Sequence, residues 1–382
     1  MIDIHDPLTI YNIIVCGILL VLAGITTWNL VQFERLADDP PPVGEGAPRV
    51  SIMVPARNEE RGVEACVRSL CEQQYQNMEV LVLDDGSSDA TPEILARLAA
   101  EYPDRLRVLQ GSPLPPEWVG KSWACHTLSQ HATGDVFIFT DADTVHRPMM
   151  VLAAIDQLRR TKLDMFSMIP YEEMGTFMEH AVLPMVHVLY FAYLPNDLIH
   201  KSKQVSVSAA NGQFMCFRRE AYHACGGHGS VYNSMVEDVF LAKAAKRAGL
   251  RIALVDGTAH VACRMYTSAS EVIAGFSKNF FPATSYNLPM TALFIVHLLA
   301  IYTAPVVMLA AGLAWPLPLL QLLLAAYIRL AIAGRCRMPW WHSLLQPVTA
   351  AFAAFIGINS IRWAYSSTGP RWKGRSYATN RR

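Results

Sequence analysis

The sequence lacks a net charge, paired cysteines and a normal share of charged residues. Its 32 Lys and Arg balance 32 Asp and Glu, so charge gives no support to a nucleic-acid partner. The eight cysteines form no C-x-x-C pair or zinc spacing, which predicts scattered thiols in a reducing compartment rather than a disulfide framework. Charged residues make up 17% and hydrophobic residues 52%, with the apolar excess at the two ends. The composition predicts a polar block between apolar termini.

The amino-terminal segment Leu8 to Val31 is uncharged and almost entirely apolar. A stretch of about 20 such residues is enough to cross a bilayer. No basic residue precedes it and no small-residue cleavage site follows, so a retained anchor is favoured over a signal peptide. Arginines follow the segment, and the positive-inside rule then places the central block in the cytoplasm. We assign residues 1–33 to the anchor and the proline-rich residues 34–48 to a linker.

The carboxyl-terminal third contains two or three further apolar segments. Leu288 to Gly312 and Leu317 to Gly334 are long enough to form a membrane hairpin. Leu344 to Ile361 is interrupted by proline, glycine and asparagine, and the tail after it has six Lys or Arg and no acid. The charge rule therefore favours a re-entrant or interfacial segment, with a simple fourth span as the alternative. We assign residues 288–363 to a membrane region and 364–382 to a basic tail.

Between the apolar ends, short apolar runs alternate with segments of helical spacing. The runs that predict strands are Val50–Val54, Val80–Leu83, Leu106–Leu109 and Val136–Phe139. This alternation implies right-handed crossovers and an α/β fold with a mostly parallel sheet. We expect residues 49–287 to form one catalytic domain, whose pattern loosens into mixed strands and helices after Leu163.

Acidic residues follow two of these predicted strands. Asp84-Asp85-Gly86-Ser87 follows one of them, and Asp141-Ala142-Asp143 follows the most apolar one. Ligands bind at the carboxyl ends of strands in such sheets, where a carboxylate can accept hydrogen bonds from a base or ribose. Two carboxylates at i and i+2 suit Mg²⁺ or Mn²⁺, which also binds phosphate oxygens. An acidic helix cap and a solvated turn are the structural alternatives.

Other polar residues also lie at predicted strand ends and helix starts. Pro55-Ala-Arg-Asn-Glu59 leaves the first strand, and Gly120-Lys121 opens a helix whose dipole and lysine would face phosphate. In Glu237-Asp238, at another helix start, a carboxylate would remove a proton from an acceptor hydroxyl. His260 is an optional further metal ligand. An ordinary turn, a surface lysine, an acidic first turn and a structural histidine are the competing interpretations.

Taken together and in this order, the segments resemble the family-2 glycosyltransferases, which have the GT-A fold. The matching segments are Pro55–Glu59 (PARNE), Val82–Ser87 (VLDDGS), Gly120-Lys121, Asp141–Asp143 (DAD) and Val236–Asp238 (VED). The match covers roughly residues 49–287. Segments more narrowly similar to hopene-associated and carotenoid (diaponeurosporenoate) glycosyltransferases are Trp118–Trp123, Arg264–Tyr266 and Gly275–Asn279. The ending Trp372–Tyr377 is similar to tails of ceramide-glucosyltransferase-like chains.

The resemblance implies an inverting transfer from a nucleotide sugar, expected to be a UDP-sugar. The positions it implies for binding that donor are Pro55, Ala56, Arg57, Glu59, Asp85, Lys121 and Asp141. Among these, Asp85 would hold the nucleobase and Lys121 would face the diphosphate. Asp143 would hold a divalent cation, Mg²⁺ or Mn²⁺, with Asp141 assisting, and Asp238 would be the base.

One departure from the family pattern bears on the acceptor. Processive polysaccharide synthases carry a Q-x-x-R-W motif after the base, and this sequence has none; Lys278-Asn279 falls roughly where it would be. The absence favours a single transfer to a lipid, and the resemblance implies that this lipid is a hopanoid, carotenoid or other polyisoprenoid. The expected location is the cytoplasmic face of a bacterial-type inner membrane. The alternatives are transfer to a polyprenyl phosphate, whose acceptor is already ionised, and a non-catalytic membrane protein that binds nucleotide sugars.

Overall fold

The computed structural model describes residues 5–44, 46–366, 371–373 and 375–376. Part of the predicted basic tail (367–370, 374 and 377–382) lies outside the described residues. By its internal contacts the chain divides into two compact units. The apolar unit consists of Met1–Gln32, Met174–Asp197 and Tyr266–Arg382, and the sheet unit consists of Phe33–Glu173 and Leu198–Met265.

The elements are numbered in chain order. The helices are α1 (Pro7–Gln32), α2 (Val63–Cys71), α3 (Thr91–Glu101), α4 (Gly120–His131), α5 (Met150–Thr161), α6 (Phe177–Val182), α7 (Pro184–Val188), α8 (Asn196–Lys201), α9 (Arg219–Ala224), α10 (Glu237–Arg247), α11 (Ala269–Ala283), α12 (Leu288–Leu298), α13 (Ala304–Ala310), α14 (Leu317–Arg335) and α15 (Gln346–Tyr365). The strands are β1 (Val50–Ala56), β2 (Met78–Asp84), β3 (Leu106–Gln110), β4 (Val136–Thr140), β5 (Thr144–His146), β6 (Met165–Ile169), β7 (Tyr171–Glu172), β8 (Phe214–Arg218), β9 (Ile252–Asp256), β10 (Val261–Cys263), β11 (Arg371–Trp372) and β12 (Arg375–Ser376).

A mixed sheet forms the centre of the sheet unit, in the order β3-β2-β1-β4-β8-β6-β9. All its neighbours pair in parallel except β8, which runs antiparallel to both β4 and β6. Strands β2 and β4 are buried along their whole length, as expected for strands covered on both faces. The mostly parallel α/β sheet and all four predicted strands are confirmed. A smaller sheet, in the order β5-β10-β7, lies beside the DAD segment.

The helices of the sheet unit follow from apolar spacing. In α2, Val63, Val67 and Leu70 lie on one face and are fully buried. Before α2 begins, the Glu59 N–H donates to the Thr91 hydroxyl at 2.8 Å and the Glu60 N–H donates to Asp89 Oδ2 at 3.1 Å. Thr91 lies in the first turn of α3, which has no side-chain cap.

Four helices of the apolar unit are long and apolar enough to cross a membrane, among the described residues. They are Pro7–Gln32, Leu288–Ala310, Leu317–Arg335 and Trp340–Tyr365. These helices confirm the predicted apolar segments at both ends of the chain. Length and composition support membrane association without fixing which helices cross.

The segment expected to be re-entrant or interfacial is a continuous helix, α15. Each residue that interrupts its apolar pattern has a place in that helix. Pro347 lies in the first turn, where proline loses no hydrogen bond. A Cβ on Gly357 would lie 2.8 Å from Ile295 and 2.9 Å from Phe280, so glycine lets these side chains approach. The Asn359 side chain donates to the Ser277 hydroxyl at 2.9 Å.

The contacts divide the chain differently from the sequence-based boundary at residue 287. Residues 174–197 and 266–287, which the sequence assigns to the catalytic domain, belong to the apolar unit. The reason is packing: α11 contacts α15, where the Phe281 N–H donates to the Ser360 hydroxyl at 2.9 Å and the Asn359 side chain donates to the Ser277 hydroxyl. The domain boundary at residue 287 therefore differs from the unit boundary at Met265.

Candidate active site

Two predicted site residues meet in an ion cluster at the carboxyl end of β4. The Lys121 ammonium, in the first turn of α4, lies 2.7 Å from Asp141 Oδ1 and 2.9 Å from Glu237 Oε1. Asp141 directly follows β4, and Glu237 is the first residue of α10. The three side chains are 32%, 27% and 9% exposed, so the ion pairs are partly shielded from water. Three segments far apart in sequence therefore meet at one point.

The predicted base, Asp238, is held beside this cluster by backbone donors. The Gly212 N–H donates to Asp238 Oδ2 at 2.9 Å, and the Val239 N–H donates to Oδ1 at 2.8 Å. A Cβ on Gly212 would lie 3.0 Å from Lys121 Nζ and 3.5 Å from Asp238 Oδ2. Gly212 thus touches both groups. A carboxylate has about four lone-pair sites, so Asp238 keeps capacity to accept a further proton donor.

The turn that carries Gly212 is fixed by its own hydrogen bonds. Asn211 Nδ2 donates to Gln213 Oε1 at 2.8 Å, and the Gln213 N–H donates to Asn211 Oδ1 at 3.0 Å. The Ser167 hydroxyl donates to the Asn211 carbonyl at 2.9 Å. Our sequence reasoning missed this turn and gave no role to Glu237. The Asn-Gly dipeptide is a turn signal that was available for the first.

Burial and neighbouring charges shift the protonation of the cluster. Burial, followed by repulsion from Glu237, raises the pKa of Asp238 to about 6, although Lys121 opposes the shift. Burial also raises the pKa of Asp141, again opposed by Lys121. Burial alone would lower the pKa of Lys121, but the carboxylates of Asp141 and Glu237 raise this pKa well above the ordinary value. Lys121 therefore stays charged, while Asp238 titrates near neutral pH.

Asp143 has an oxygen that fits a cation. Its Oδ1 is buried and has no hydrogen-bond partner among the described residues. A buried carboxylate oxygen without a partner is costly unless a ligand compensates it. No cluster of three or more His, Cys, Asp or Glu suited to a metal occurs in the described ranges. Asp141 and Asp143 thus fit a site that phosphate oxygens and waters complete, as is usual for Mg²⁺.

His260 lies at the other end of the small sheet. Val261 pairs with His146, whereas Cys263 pairs with Thr144, the residue next to Asp143. The His260 side chain is buried, with Nε2 2.9 Å from the Ala37 carbonyl oxygen. This placement argues against the metal role that the sequence allowed for His260, and it favours the structural interpretation.

The loops after β1 and β2 are joined to each other. These strands pair in register up to Ala56 and Asp84, so the two loops start side by side. The Arg57 guanidinium donates to the carbonyl oxygens of Asp85 and, at 3.0 Å, of Gly86. The structure thus brings Pro55–Glu59 and Asp85 together at one sheet edge.

The side chains of the acidic pair after β2 differ in their surroundings. Asp84 Oδ1 accepts hydrogen bonds from the Ser87 N–H at 3.0 Å and from its hydroxyl at 2.6 Å. Asp84 therefore fits the structural interpretation of an acidic turn. Asp85 is the residue that the sequence assigns to the nucleobase, and it is 5% exposed. Gly111 lies close to it: a Cβ on Gly111 would be 3.3 Å from Asp85 Oδ1.

The fold and this site define a class. Residues 51–226 match "Glycosyl transferase family 2". The solved structure of the mannosyltransferase PcManGT from Pyrobaculum calidifontis, in complex with GDP-Man and Mn²⁺, shares the fold with a TM-score of 0.57 at 18% identity. The alignment covers 94% of this chain and 100% of that one. The chain therefore resembles the family-2 glycosyltransferases and has a fold of the GT-A type.

Curated relatives narrow the resemblance further. The chain is 27% identical over 373 residues to the 4,4'-diaponeurosporenoate glycosyltransferase of Staphylococcus haemolyticus (strain JCSC1435), covering 94% of this chain and 95% of that protein. It is 26% identical over 346 residues to the enzyme of the same name from Staphylococcus aureus (strain USA300), covering 87% and 89%. The predicted resemblance to carotenoid glycosyltransferases is confirmed.

Proposed function

We propose that this chain transfers one sugar, with inversion, from a nucleotide sugar to a polyisoprenoid lipid of the carotenoid type. The donor is a UDP-sugar, and a divalent cation is required. The observation that carries the proposal is the convergence of Lys121, Asp141, Glu237 and Asp238 beside the loops that hold Asp85 and Asp143.

Each site residue has a role in this proposal. Asp85 and the Pro55–Glu59 loop bind the nucleotide, while Lys121 compensates negative charge at the diphosphate. Asp143, with Asp141, holds Mg²⁺ or Mn²⁺, which supplies charge neutralisation for the departing nucleoside diphosphate. The orphan oxygen of Asp143 supports this assignment.

Asp238 is the base in the proposed transfer. Its carboxylate takes the proton of an acceptor hydroxyl as the acceptor oxygen forms a bond to the anomeric carbon and the bond to the diphosphate breaks. The raised pKa of Asp238 supports this role, because a stronger base accepts the proton more readily.

The acceptor class is proposed from two observations. The curated relatives are named for 4,4'-diaponeurosporenoate, and the chain aligns with nearly the full length of the first of them. The apolar unit has helices long and apolar enough to cross a membrane, which fits an acceptor dissolved in a bilayer. The proposed location is the inner membrane of a bacterial-type cell, with the sheet unit in the cytoplasm.

The base assignment is tested with Asp238→Asn. We expect transfer to fall by about 10²–10⁴-fold, because the amide cannot accept the proton, while nucleotide binding measured by calorimetry stays unchanged. Glu220→Gln is the matched control: it removes an exposed carboxylate from α9 in the same unit and should leave transfer intact. Retained turnover in Asp238→Asn would indicate an acceptor that is already ionised, such as a polyisoprenoid carboxylate or a polyprenyl phosphate.

The cation site is tested with Asp143→Ala. Removing the carboxylate should weaken nucleotide binding in the presence of Mn²⁺ and make it insensitive to chelator, while the weak metal-free binding persists. Equal stimulation of the variant and the natural chain by Mn²⁺ would contradict the assignment.

The substrates are identified from cellular lipids. Cells with the chain and cells carrying Asp238→Asn are extracted, and their lipids are compared by mass spectrometry for a hexose-sized increment. A polyisoprenoid glycoside that depends on Asp238 supports the proposal. A difference confined to polyprenyl phosphates would replace it with the alternative function.

A further inference from the structure

The apolar unit contains a buried cation without a counter-ion. Arg329 lies within α14, an apolar helix of 19 residues, and is 2% exposed. None of the ion pairs among the described residues involves it, and its Nη1 and Nη2 atoms have no hydrogen-bond partner there. Its one hydrogen bond runs from Nε to the His342 carbonyl oxygen, at 3.3 Å.

The elements around Arg329 add polar groups but no carboxylate partner. Helix α14 packs against α7, which carries the buried His187, and against the helical turns that carry Tyr302 and His342. The Tyr302 hydroxyl accepts a hydrogen bond from Tyr193 at 3.2 Å, so its own proton is left to donate. Arg329 and Tyr302 therefore offer donors to a ligand.

Physical chemistry constrains what completes such a site. A desolvated charge is strongly unfavourable unless an opposite charge or hydrogen bonds compensate it, and ionisable residues within apolar spans usually face a ligand or partner. The free edge of a guanidinium presents parallel N–H donors that match a carboxylate or a phosphate. Because the surrounding helices are apolar, an anion with an apolar tail suits this site.

We propose that Arg329 is the binding residue for a lipid-borne anion, a carboxylate or phosphate group inserted among α7, α14 and the turn that contains His342. This site lies in the apolar unit and goes beyond the proposed sugar transfer, so it stands whether or not that transfer is demonstrated. The guanidinium binds the anion through Nη1 and Nη2, and the Tyr302 hydroxyl is an additional donor.

The test uses the full chain purified in a neutral detergent, with thermal unfolding followed by tryptophan fluorescence. The probes are a polyene carboxylic acid, the corresponding polyene alcohol, phosphatidylglycerol and phosphatidylcholine. We expect the anionic probes to raise the unfolding temperature and to bind at least about tenfold more tightly than the neutral probes. Stabilisation by the carboxylic acid alone identifies a substrate-like lipid, whereas stabilisation by phosphatidylglycerol as well identifies a general anionic-lipid site.

The variants separate a binding role from a structural one. Arg329→Gln should lose the preference for anionic probes while unfolding at or above the temperature of the lipid-free natural chain, because it removes an uncompensated buried charge. Arg329→Lys keeps the charge and should retain part of the preference. Arg362→Gln removes an exposed positive charge from α15 and should behave as the natural chain.

Two results would overturn the proposal. One is equal stabilisation of the natural chain by neutral and anionic probes, which needs no variant. The other is an unchanged preference for anionic probes in Arg329→Gln. If Arg329→Gln does not fold, the partial preference in Arg329→Lys decides: a full preference or none in that variant contradicts recognition by the planar guanidinium.

Discussion

At the scale of single residues, the Asp238 carboxyl group links activity to pH. Its pKa is raised to about 6, and the ionised form is the one that accepts a proton. We therefore expect kcat/KM to be constant above about pH 7 and to fall about tenfold per pH unit below 6. The profile is measured with donor and metal saturating, and circular dichroism at pH 5 checks that the fold persists. A flat profile between pH 5 and 8 would remove Asp238 as the titrating base.

Single residues also show where sequence reasoning reaches its limit. Lys121, Asp141 and Asp238 could be predicted because each follows a recognisable strand end or opens a helix. Glu237 could not be distinguished from an acidic first turn, since its value to the site comes from a lysine 116 positions earlier in the chain. His260 is the opposite case: the sequence allowed it a metal role, but its Nε2 lies 2.9 Å from the Ala37 carbonyl oxygen.

At the scale of elements, we expect a change in the turn before β8 to affect activity more than stability. In Gly212→Ala the new Cβ would press on the Lys121 ammonium, which is the mobile end of a long side chain. We expect the unfolding temperature to fall by only about 2–4 °C, because the lysine can move away but the loss of its partly shielded ion pairs costs some stability. We also expect kcat to fall at least about tenfold, because the ion pairs with Asp141 and Glu237 are lost.

The matched control for this turn is Gly44→Ala in the linker, where a Cβ meets no atom within 4 Å. That variant should keep both its stability and its kcat. A large drop in the unfolding temperature of Gly212→Ala would mean that the turn is mainly structural.

A second element-scale prediction concerns two segments that resemble carotenoid glycosyltransferases. The Tyr266 ring packs directly on Gly275 of α11, and a Cβ there would lie 2.6 Å from Cε1 and closer still to Cζ and the hydroxyl oxygen. Since Tyr266 is 4% exposed, the ring has little room to move. Gly275→Ala should lower the free energy of unfolding by about 1–3 kcal/mol.

Gly24→Ala in α1 serves as the comparison for Gly275→Ala, because a Cβ at Gly24 has no atom within 4 Å. Thermal unfolding in detergent should show no loss of stability for Gly24→Ala. Equal effects of the two substitutions would contradict the close packing of Tyr266 on Gly275.

The sequence predicts which segments form strands, but it only partly predicts how those strands pair. Apolar runs followed by polar turns predict β1, β2, β3 and β4, because a strand buried on both faces must be apolar throughout. The antiparallel β8 was not foreseen: its direction depends on a long excursion of the chain between β6 and β8, and local sequence carries no signal for it. That excursion also delivers the turn at Gly212, so the missed strand and the missed site residue have one cause.

At the scale of the whole molecule, composition predicts the two kinds of structure better than the boundary between them. The apolar ends and the alternating centre follow from hydropathy and period alone. The segments 174–197 and 266–287 have mixed composition, and tertiary contacts place them in the apolar unit. Contacts between positions far apart in sequence decide such cases, and a single sequence does not encode them as a local pattern.

The outer faces of the long helices lead to a prediction about the solvent that surrounds them. Large apolar side chains are exposed along all four, for example Val21, Leu293, Leu323 and Phe355. Patches of this extent are unfavourable in water and favourable in lipid. We expect the chain to remain in the membrane pellet after alkaline carbonate and to be released by detergent. Release by carbonate alone would show that these faces are covered by protein instead.

A matched pair on α14 tests the same orientation at higher resolution. Ile328 is fully buried within the unit, whereas Leu323 is 59% exposed. In detergent, Ile328→Ala should lower the free energy of unfolding by about 2–5 kcal/mol, because it leaves a cavity inside the unit. Leu323→Ala should cost far less, since detergent or lipid fills the space that the side chain leaves. If the two costs were equal, the outward face of α14 would have to pack against another protein surface, and the bilayer would not be its solvent.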